Sequence, residues 1–252
     1  MSHRLVKPAA RLVAALFWLA LWQLAAWAVG QEFLLAAPLS VLASLLHLLA
    51  QGSTWLAAAQ SSLRVLLGFV LGSLFGLLLA ALACWRPWAH ELFAPLVQAA
   101  RAVPVASFVI LAIILVSSRW LSTLIAFVIG FPVVYAAALS GLAARDRQLD
   151  EMARVFQVPL ARRLFALTLP QLLPHLRAGL VSALGLCWKS GVAAEVIGIP
   201  RGSIGEMLYA TKVNYHTAEL FAWTIFIVLL SLLSARLLRL FMDALFHQLG
   251  AL

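Results

Sequence analysis

The sequence predicts an all-α integral membrane protein with about six transmembrane helices. Of its 252 residues, 64% are hydrophobic and only 11% are charged, and the mean hydropathy is +1.02. An average soluble domain carries about 25% charged residues, and one soluble core could not hide this much apolar surface. A membrane protein turns that surface toward hydrocarbon. The composition therefore excludes a soluble enzyme, a disordered protein and a secreted disulfide scaffold.

Six apolar runs approach the roughly 20 residues that a helix needs to cross a bilayer. The six predicted spans are Leu12–Val29, Leu63–Cys84, Pro104–Val116, Leu121–Leu142, Ala178–Ile199 and Leu220–Phe241. The first has no clear small-residue cleavage site, which favours a retained span over a signal peptide. The third is short for a span.

The sequence shows one feature before the second span and another within it. Before it, Val41–Ala50 has the pattern of a short amphipathic helix at the external interface. Within it, Gly68, Gly72 and Gly76 recur once per helical turn, which predicts a face where a neighbouring helix packs closely.

The basic residues predict the orientation of the chain. There are 18 Lys and Arg against 9 Asp and Glu. Arg119, Arg201 and Lys212 fall in segments predicted outside, Arg64 and Lys189 fall within spans, and the remaining thirteen fall inside. This asymmetry predicts cytoplasmic N- and C-termini. Because the basic residues border apolar spans, they indicate contact with lipid headgroups rather than with nucleic acid.

The largest polar segment, residues 143–177, contains six arginines. Two short helices fit it, Arg147–Phe156 and Pro159–Leu167, and we expect Pro170 and Pro174 to end the second. One face of the first helix is apolar, being formed by Leu149, Met152, Val155 and Phe156. The segment is either an amphipathic loop that rests on lipid or a helical element that docks into the groove of a partner.

Several blocks of the sequence carry a family resemblance in their order and spacing. Glu151-Met152-Ala153 is followed by Leu169-Pro170, as in the EAA loop of ABC importer permeases. The other matching blocks are Ser62–Ala81, Pro95–Phe108, Phe131–Leu142 and Gly185–Thr211. Over about residues 37–245 the chain resembles permeases of the nitrate/sulfonate/taurine group.

This resemblance implies the type I ABC importer (MetI-like) permease fold. Residues 1–57 would hold the cytoplasmic tail, the first transmembrane helix and the external interfacial helix. Residues 58–245 would form the permease domain, with a cytoplasmic EAA coupling loop at about 145–170. The residues that the resemblance implies for coupling to an ATPase are Asp150, Glu151, Ala153, Gln157, Leu169 and Pro170.

The resemblance also implies partners. None of the three lysines, Lys7, Lys189 and Lys212, lies in a P-loop pattern, so the sequence offers no ATP site. ATP and Mg²⁺ would be used by two separate cytoplasmic ATPase subunits, and this chain would need no cofactor. A second permease copy, an extracytoplasmic solute-binding protein and the inner membrane of a prokaryote complete the implied system. The expected role is movement of a small solute into the cytoplasm.

Two positions depart from the family pattern. Gln157 stands where the family usually has Gly, which would permit a positive φ that Gln adopts only at a cost. After the third span the chain reads Val116-Ser117-Ser118-Arg119-Trp120 instead of the usual Trp-Phe-Gly-type element. We therefore do not assign the oxyanion solutes of the family from sequence.

Lys189 lies in the middle of the fifth span, and Glu195 follows six residues later. A charge at the bilayer centre costs roughly 2.5–3.5 kcal/mol, so both side chains should avoid lipid. On a helix they lie about 120° apart, so either they line a translocation pathway or their charges are structural. In the structural case they pair with each other, they separately bind neighbouring helices, or Lys189 pairs with an acid of the second subunit. An ATPase-independent transporter or channel would need more such charges, and an intramembrane enzyme would need a catalytic or metal-ligating cluster. The sequence shows neither, and Cys84 and Cys187 have no metal-ligand spacing.

Overall fold

The computed structural model describes residues 3–248, and every regular element in that range is helical. The α-helices are α1 (His3–Val29), α2 (Pro38–Ala50), α3 (Gly52–Trp85), α4 (Pro87–Ala102), α5 (Val105–Leu115), α6 (Ser118–Ala143), α7 (Arg147–Val155), α8 (Leu160–Arg163), α9 (Leu169–Gly198), α10 (Ile204–Val213) and α11 (Thr217–Gln248). A π-helical turn, Leu164–Thr168, joins α8 to α9.

Five helices, α1, α3, α6, α9 and α11, are long and apolar enough to cross a membrane. The predicted third span differs, because α5 has only 11 residues, or about 16 Å, and cannot cross about 30 Å of hydrocarbon alone. It forms a pair with α4, bent by 103°, and the two together can count as a sixth, broken span. Pro104 lies at the bend, where it lacks an amide N–H and keeps Val103 out of the helical conformation.

Helix α3 begins at Gly52, well before the predicted start at Leu63. Its first turns carry polar residues that lower the local hydropathy, yet Thr54 and Ser61 are buried. Packing against the rest of the bundle therefore extends the helix beyond its apolar run. The predicted division after residue 57 stays a prediction, and it falls inside α3.

Helices α3, α6 and α9 form the centre of the bundle. Helix α3 runs parallel to α6, and a Cβ at Gly68, Gly72 or Gly76 would lie 2.4, 2.8 or 2.5 Å from the carbonyl oxygens of Thr123, Phe127 and Phe131. These distances are too short for any side chain, so the glycines allow the two backbones to touch. Helix α9 runs antiparallel to α6, with Gly191 beside Ser122 and Gly179 beside Ala137.

A second layer covers one side of this centre. Trp188 of α9 and Trp223 of α11 lie in one buried cluster that also takes in Val41 and Leu48 of α2. The predicted interfacial helix Val41–Ala50 is thus part of α2, which begins at Pro38 and packs against α11. The outer surfaces of α1 and α11 remain apolar and exposed, as expected for helices that face lipid.

Candidate functional site

The polar segment after α6 is organised around Asp146 and Asp150. Asp146 caps α7 by accepting a hydrogen bond from the amide of Gln148 at 2.8 Å, and its own amide donates to Oε1 of Gln171 at 2.7 Å. The carboxylate of Asp150 lies 3.2 Å from Nε of Arg163 and 3.9 Å from Nη1 of Arg145. These bonds connect α7 to α8 and to the ends of α6 and α9.

Three of the implied coupling residues lie on α7. Asp150 and Ala153 face inward: Asp150 forms the salt bridges just described, and Ala153 is 2% exposed. Glu151, next to Asp150 in the chain, is exposed. The predicted apolar face is largely exposed with it, since Met152, Val155 and Phe156 are 49%, 78% and 74% exposed. Thus α7 presents an acidic and apolar surface, which we call the α7 face (Glu151, Met152, Val155 and Phe156).

Gln157 ends α7 with φ +48°, in the left-handed region. Its amide donates to the carbonyl of Arg154, and the amide of Val158 donates to the carbonyl of Ala153. This is the Schellman arrangement, in which the residue with positive φ is usually glycine. The turn therefore has the geometry that glycine would favour, and the glutamine bears the steric cost of it.

Pro170 and Pro174 do not end a helix, contrary to the prediction for this segment. Leu169 and Pro170 lie in the first turn of α9, which continues through Pro174 to Gly198. A proline is tolerated in a first helical turn because no intrahelical N–H bond is needed there. The preceding π-helical turn carries the chain from α8 into α9 without a break. Leu169 packs beside Leu173 and Met242, so it anchors α9 to α11.

At the opposite end of the bundle, Glu195 is fully buried, and its carboxylate has both a hydrogen-bond donor and a cation beside it. It accepts a hydrogen bond from Oγ of Ser61 at 2.5 Å and lies 3.3 Å from Nη1 of Arg64. The amide of Ile204 donates to the same Ser61 hydroxyl at 2.9 Å, which fixes the start of α10. A Cβ on Gly205 would lie 2.3 Å from the Glu195 backbone, so only glycine fits beside it.

Glu195 therefore pairs with Arg64 of α3 and not with Lys189. The predicted ion pair between Lys189 and Glu195 is wrong, and Glu195 instead binds a neighbouring helix, which was another of the alternatives. Arg64 and Glu195 are 131 residues apart, and hydropathy carries no information on which spans are neighbours. The sequence did contain one signal for this pair, because Arg64 is, besides Lys189, the other cation that lies within a predicted span. Lys189 lies on the exposed side of α9, and it forms no salt bridge among the described residues.

Comparisons with known proteins identify the class. Residues 68–249 match the family described as the binding-protein-dependent transport system inner membrane component. The chain belongs to this family. It is a multi-pass membrane protein and the permease subunit of an ABC importer.

Individual relatives agree with the family match. The chain is 27% identical to the putative aliphatic sulfonates transport permease SsuC of Bacillus subtilis, over 88% of this chain and 81% of the relative. It is 31% identical to SsuC of Escherichia coli, over 73% and 70% of the two chains. It is 27% identical to the taurine transport permease TauC of Escherichia coli, over 74% and 72%.

Proposed function

We propose that this permease is driven by ATP hydrolysis in separate cytoplasmic subunits, which bind the α7 face. Large apolar side chains on a polar segment are costly to leave in water, and they mark surfaces that a partner covers. Val155 at the end of α7 and Phe156 directly after it are the most exposed apolar residues of the α7 face, and Glu151 adds one negative charge beside them. This surface is the observation that carries the proposal. ATP and Mg²⁺ bind only in the partner.

Force on α7 reaches the membrane helices through the bonds behind the α7 face. The salt bridges of Asp150 and the Asp146–Gln171 bond tie α7 to the adjoining ends of α6 and α9. When the two ATPase subunits close, a push on α7 moves these helix ends and rocks the bundle between inward and outward states.

A second copy of the chain packs along the exposed side of α9. Ser182, Leu186, Lys189 and Ala193 follow this side at helical spacing. Lipid contact would cost Lys189 roughly 2.5–3.5 kcal/mol, so this side of α9 faces the partner copy or a hydrated passage between the copies. Two permeases, two ATPase subunits and one extracytoplasmic binding protein make up the transporter.

In the proposed orientation, both termini and α7 lie in the cytoplasm of a prokaryote, and the Glu195 cluster lies at the outer side of the inner membrane. The excess of Lys and Arg in the segments on the α7 side supports this orientation. The cargo is a small solute, which is nitrate-, sulfonate- or taurine-like or another small organic compound. The names of two relatives, which specify aliphatic sulfonates and taurine, support part of this range.

The decisive experiment is uptake by proteoliposomes that contain the permease with its cognate ATPase and binding protein. We expect uptake to require ATP and to be lost in Val155→Asp, because a buried carboxylate would disrupt the contact with the ATPase. Val213→Asp is the matched control, since Val213 is also an exposed valine at the last position of its helix, at the opposite end of the bundle. Uptake by the permease alone would instead identify a secondary transporter.

A further inference from the structure

A cleft opens beside the Glu195 cluster, between the first turn of α6, α3 and the loop after α9. Its volume is about 820 Å³, within the range of small-molecule sites. Three arginines line it, namely Arg64, Arg119 and Arg201, and none of the described residues that line it is acidic.

The three arginines differ in whether they already have partners within the protein. The guanidinium of Arg64 does: Nη1 binds Glu195, and Nη2 donates to Oε1 of Gln60 at 3.3 Å and to the carbonyl of Arg201 at 3.4 Å. It therefore positions the backbone of Arg201 at the rim. Arg119 and Arg201 are exposed, and in the part of the chain that the structure describes neither forms a salt bridge. Their charges are available to a ligand.

Two further features favour a negative charge in this cleft. Ser118, Arg119 and Trp120 line it as the first residues of α6, so the positive end of that helix dipole lies at the cleft. The N-cap residue Ser117 makes no side-chain capping bond; its carbonyl accepts from the amide of Trp120 at 2.9 Å, and the amides of Ser118 and Arg119 are left for another acceptor.

The cleft also has an apolar part. Leu63, Leu67, Trp120 and Ile199 line it, and the guanidinium of Arg119 lies 5.9 Å from the centre of the Trp120 ring. This contact is within the range of a cation–π interaction, which restrains Arg119 beside the aromatic surface. An apolar surface next to two available guanidinium groups matches a small molecule that has an apolar body and an anionic head.

We propose that this cleft binds a small organic anion, whose sulfonate, phosphonate or carboxylate head is held by Arg119 and Arg201. The inference rests on the proposed import function and specifies the chemical class of the solute at the outer mouth of the permease. Planar guanidinium groups bind such oxyanions through paired, charge-assisted hydrogen bonds. Trp120, Leu63 and Leu67 cover the organic part of the solute.

The test uses the permease–ATPase complex in phosphatidylcholine nanodiscs, without binding protein, and isothermal titration with benzenesulfonate. We expect binding that weakens with added salt and is at least about tenfold weaker in the double variant Arg119→Gln/Arg201→Gln. The neutral analogue benzenesulfonamide should bind much less well than benzenesulfonate. The matched control is Arg236→Gln/Arg239→Gln, which removes two exposed arginines of α11 and should bind like the wild type.

Three results would overturn the proposal. The first is equal binding of benzenesulfonate by the double variant, or equal binding of the neutral analogue. The second is displacement of the probe by phosphatidylglycerol in the discs, which would make the cleft a lipid site. The third is unchanged probe binding by the double variant together with weaker docking of the binding protein, measured in a second titration to which that protein is added. This result would make the cleft a protein contact.

The proposed function fails separately, by a different measurement. A wild-type complex that takes up solute without ATP contradicts the import mechanism whatever the cleft binds. A complex with ATP-driven uptake but no anion binding at the cleft contradicts only this inference.

Discussion

Glu195 and Glu151 are two glutamates of the same chain, and the fold places their carboxylates in opposite environments. Glu195 has no exposed surface and is bound by Ser61 and Arg64 from α3. Glu151 is exposed on α7, next to apolar side chains that are exposed as well. The first arrangement is complete within the chain, whereas the proposed function leaves the second to be completed by the ATPase. The comparison shows that one end of the bundle is fixed by its own contacts, whereas the other end leaves charged and apolar side chains exposed.

The largest effect should come from Glu151→Lys. We expect it to abolish ATP-driven uptake while membrane insertion and thermal stability stay unchanged, because the charge is reversed on a face with no internal role. The matched control is Glu91→Lys, which reverses another highly exposed acid, on α4. Uptake assays with both purified complexes check the prediction, and normal uptake by the Glu151 variant would contradict a docking role.

Arg64→Met should strongly destabilise the fold, because it leaves Glu195 buried without its cation. Breaking a buried ion pair in this way costs about 3–5 kcal/mol. The measurement is the free energy of unfolding in mixed micelles. Lys189→Met is the control, since it also removes a cation from a span but leaves no buried acid unpaired in the part of the chain that the structure describes. We expect that variant to be as stable as the wild type or more stable, and equal losses in the two variants would show that Lys189 also has a structural partner.

Gly72→Leu should lower stability by about 1–3 kcal/mol, because the added side chain must push α3 away from α6. A Cβ at this position would already lie 2.8 Å from the carbonyl oxygen of Phe127. Ala81→Leu adds bulk to an exposed position of the same helix and should have little effect. The thermal unfolding midpoints of the two variants check the difference, and a midpoint for Gly72→Leu equal to that of the control would disprove the packing assignment.

Gln157→Gly should produce the smallest change, a gain of about 0.5–1 kcal/mol in the local stability of α7. Glycine adopts the observed φ of +48° without steric cost. Gln148→Gly is the opposite control, because Gln148 lies within α7, where glycine lowers helix stability by about 1 kcal/mol. Hydrogen exchange of the α7 amides measures both changes. Faster exchange in Gln157→Gly would mean that the glutamine side chain itself stabilises the turn.

Most of the long helices follow directly from the sequence. Twenty or so consecutive apolar residues can satisfy their backbone polar groups in lipid only as a helix, so five spans were predictable from composition along the chain. At Gln157 the sequence marked a position where the family usually has glycine, but it left the geometry of the turn open, and the structure supplied the φ of +48°. The family itself was recognisable from the order of short blocks between residues 62 and 211.

Other features needed the tertiary structure. The bend between α4 and α5, the continuation of α9 through Pro170 and Pro174, and the early start of α3 all depend on packing that no local pattern records. The inward orientation of Asp150 depends on Arg163, which lies 13 residues away across a turn. The helical pattern placed Asp150 on α7 but could not place Arg163 opposite it.

The sequence by itself determined that this protein lies in a membrane, roughly where it crosses, and to which family it belongs, because hydrophobicity and local motifs act over neighbouring residues. Only the tertiary structure decided that Glu195 pairs with Arg64, that Lys189 is exposed, and that Arg119 and Arg201 share a cleft. The physical reason is that charge pairs inside a bundle depend on which helices are adjacent and how each is rotated. Helix packing sets both, through contacts between residues far apart in the chain.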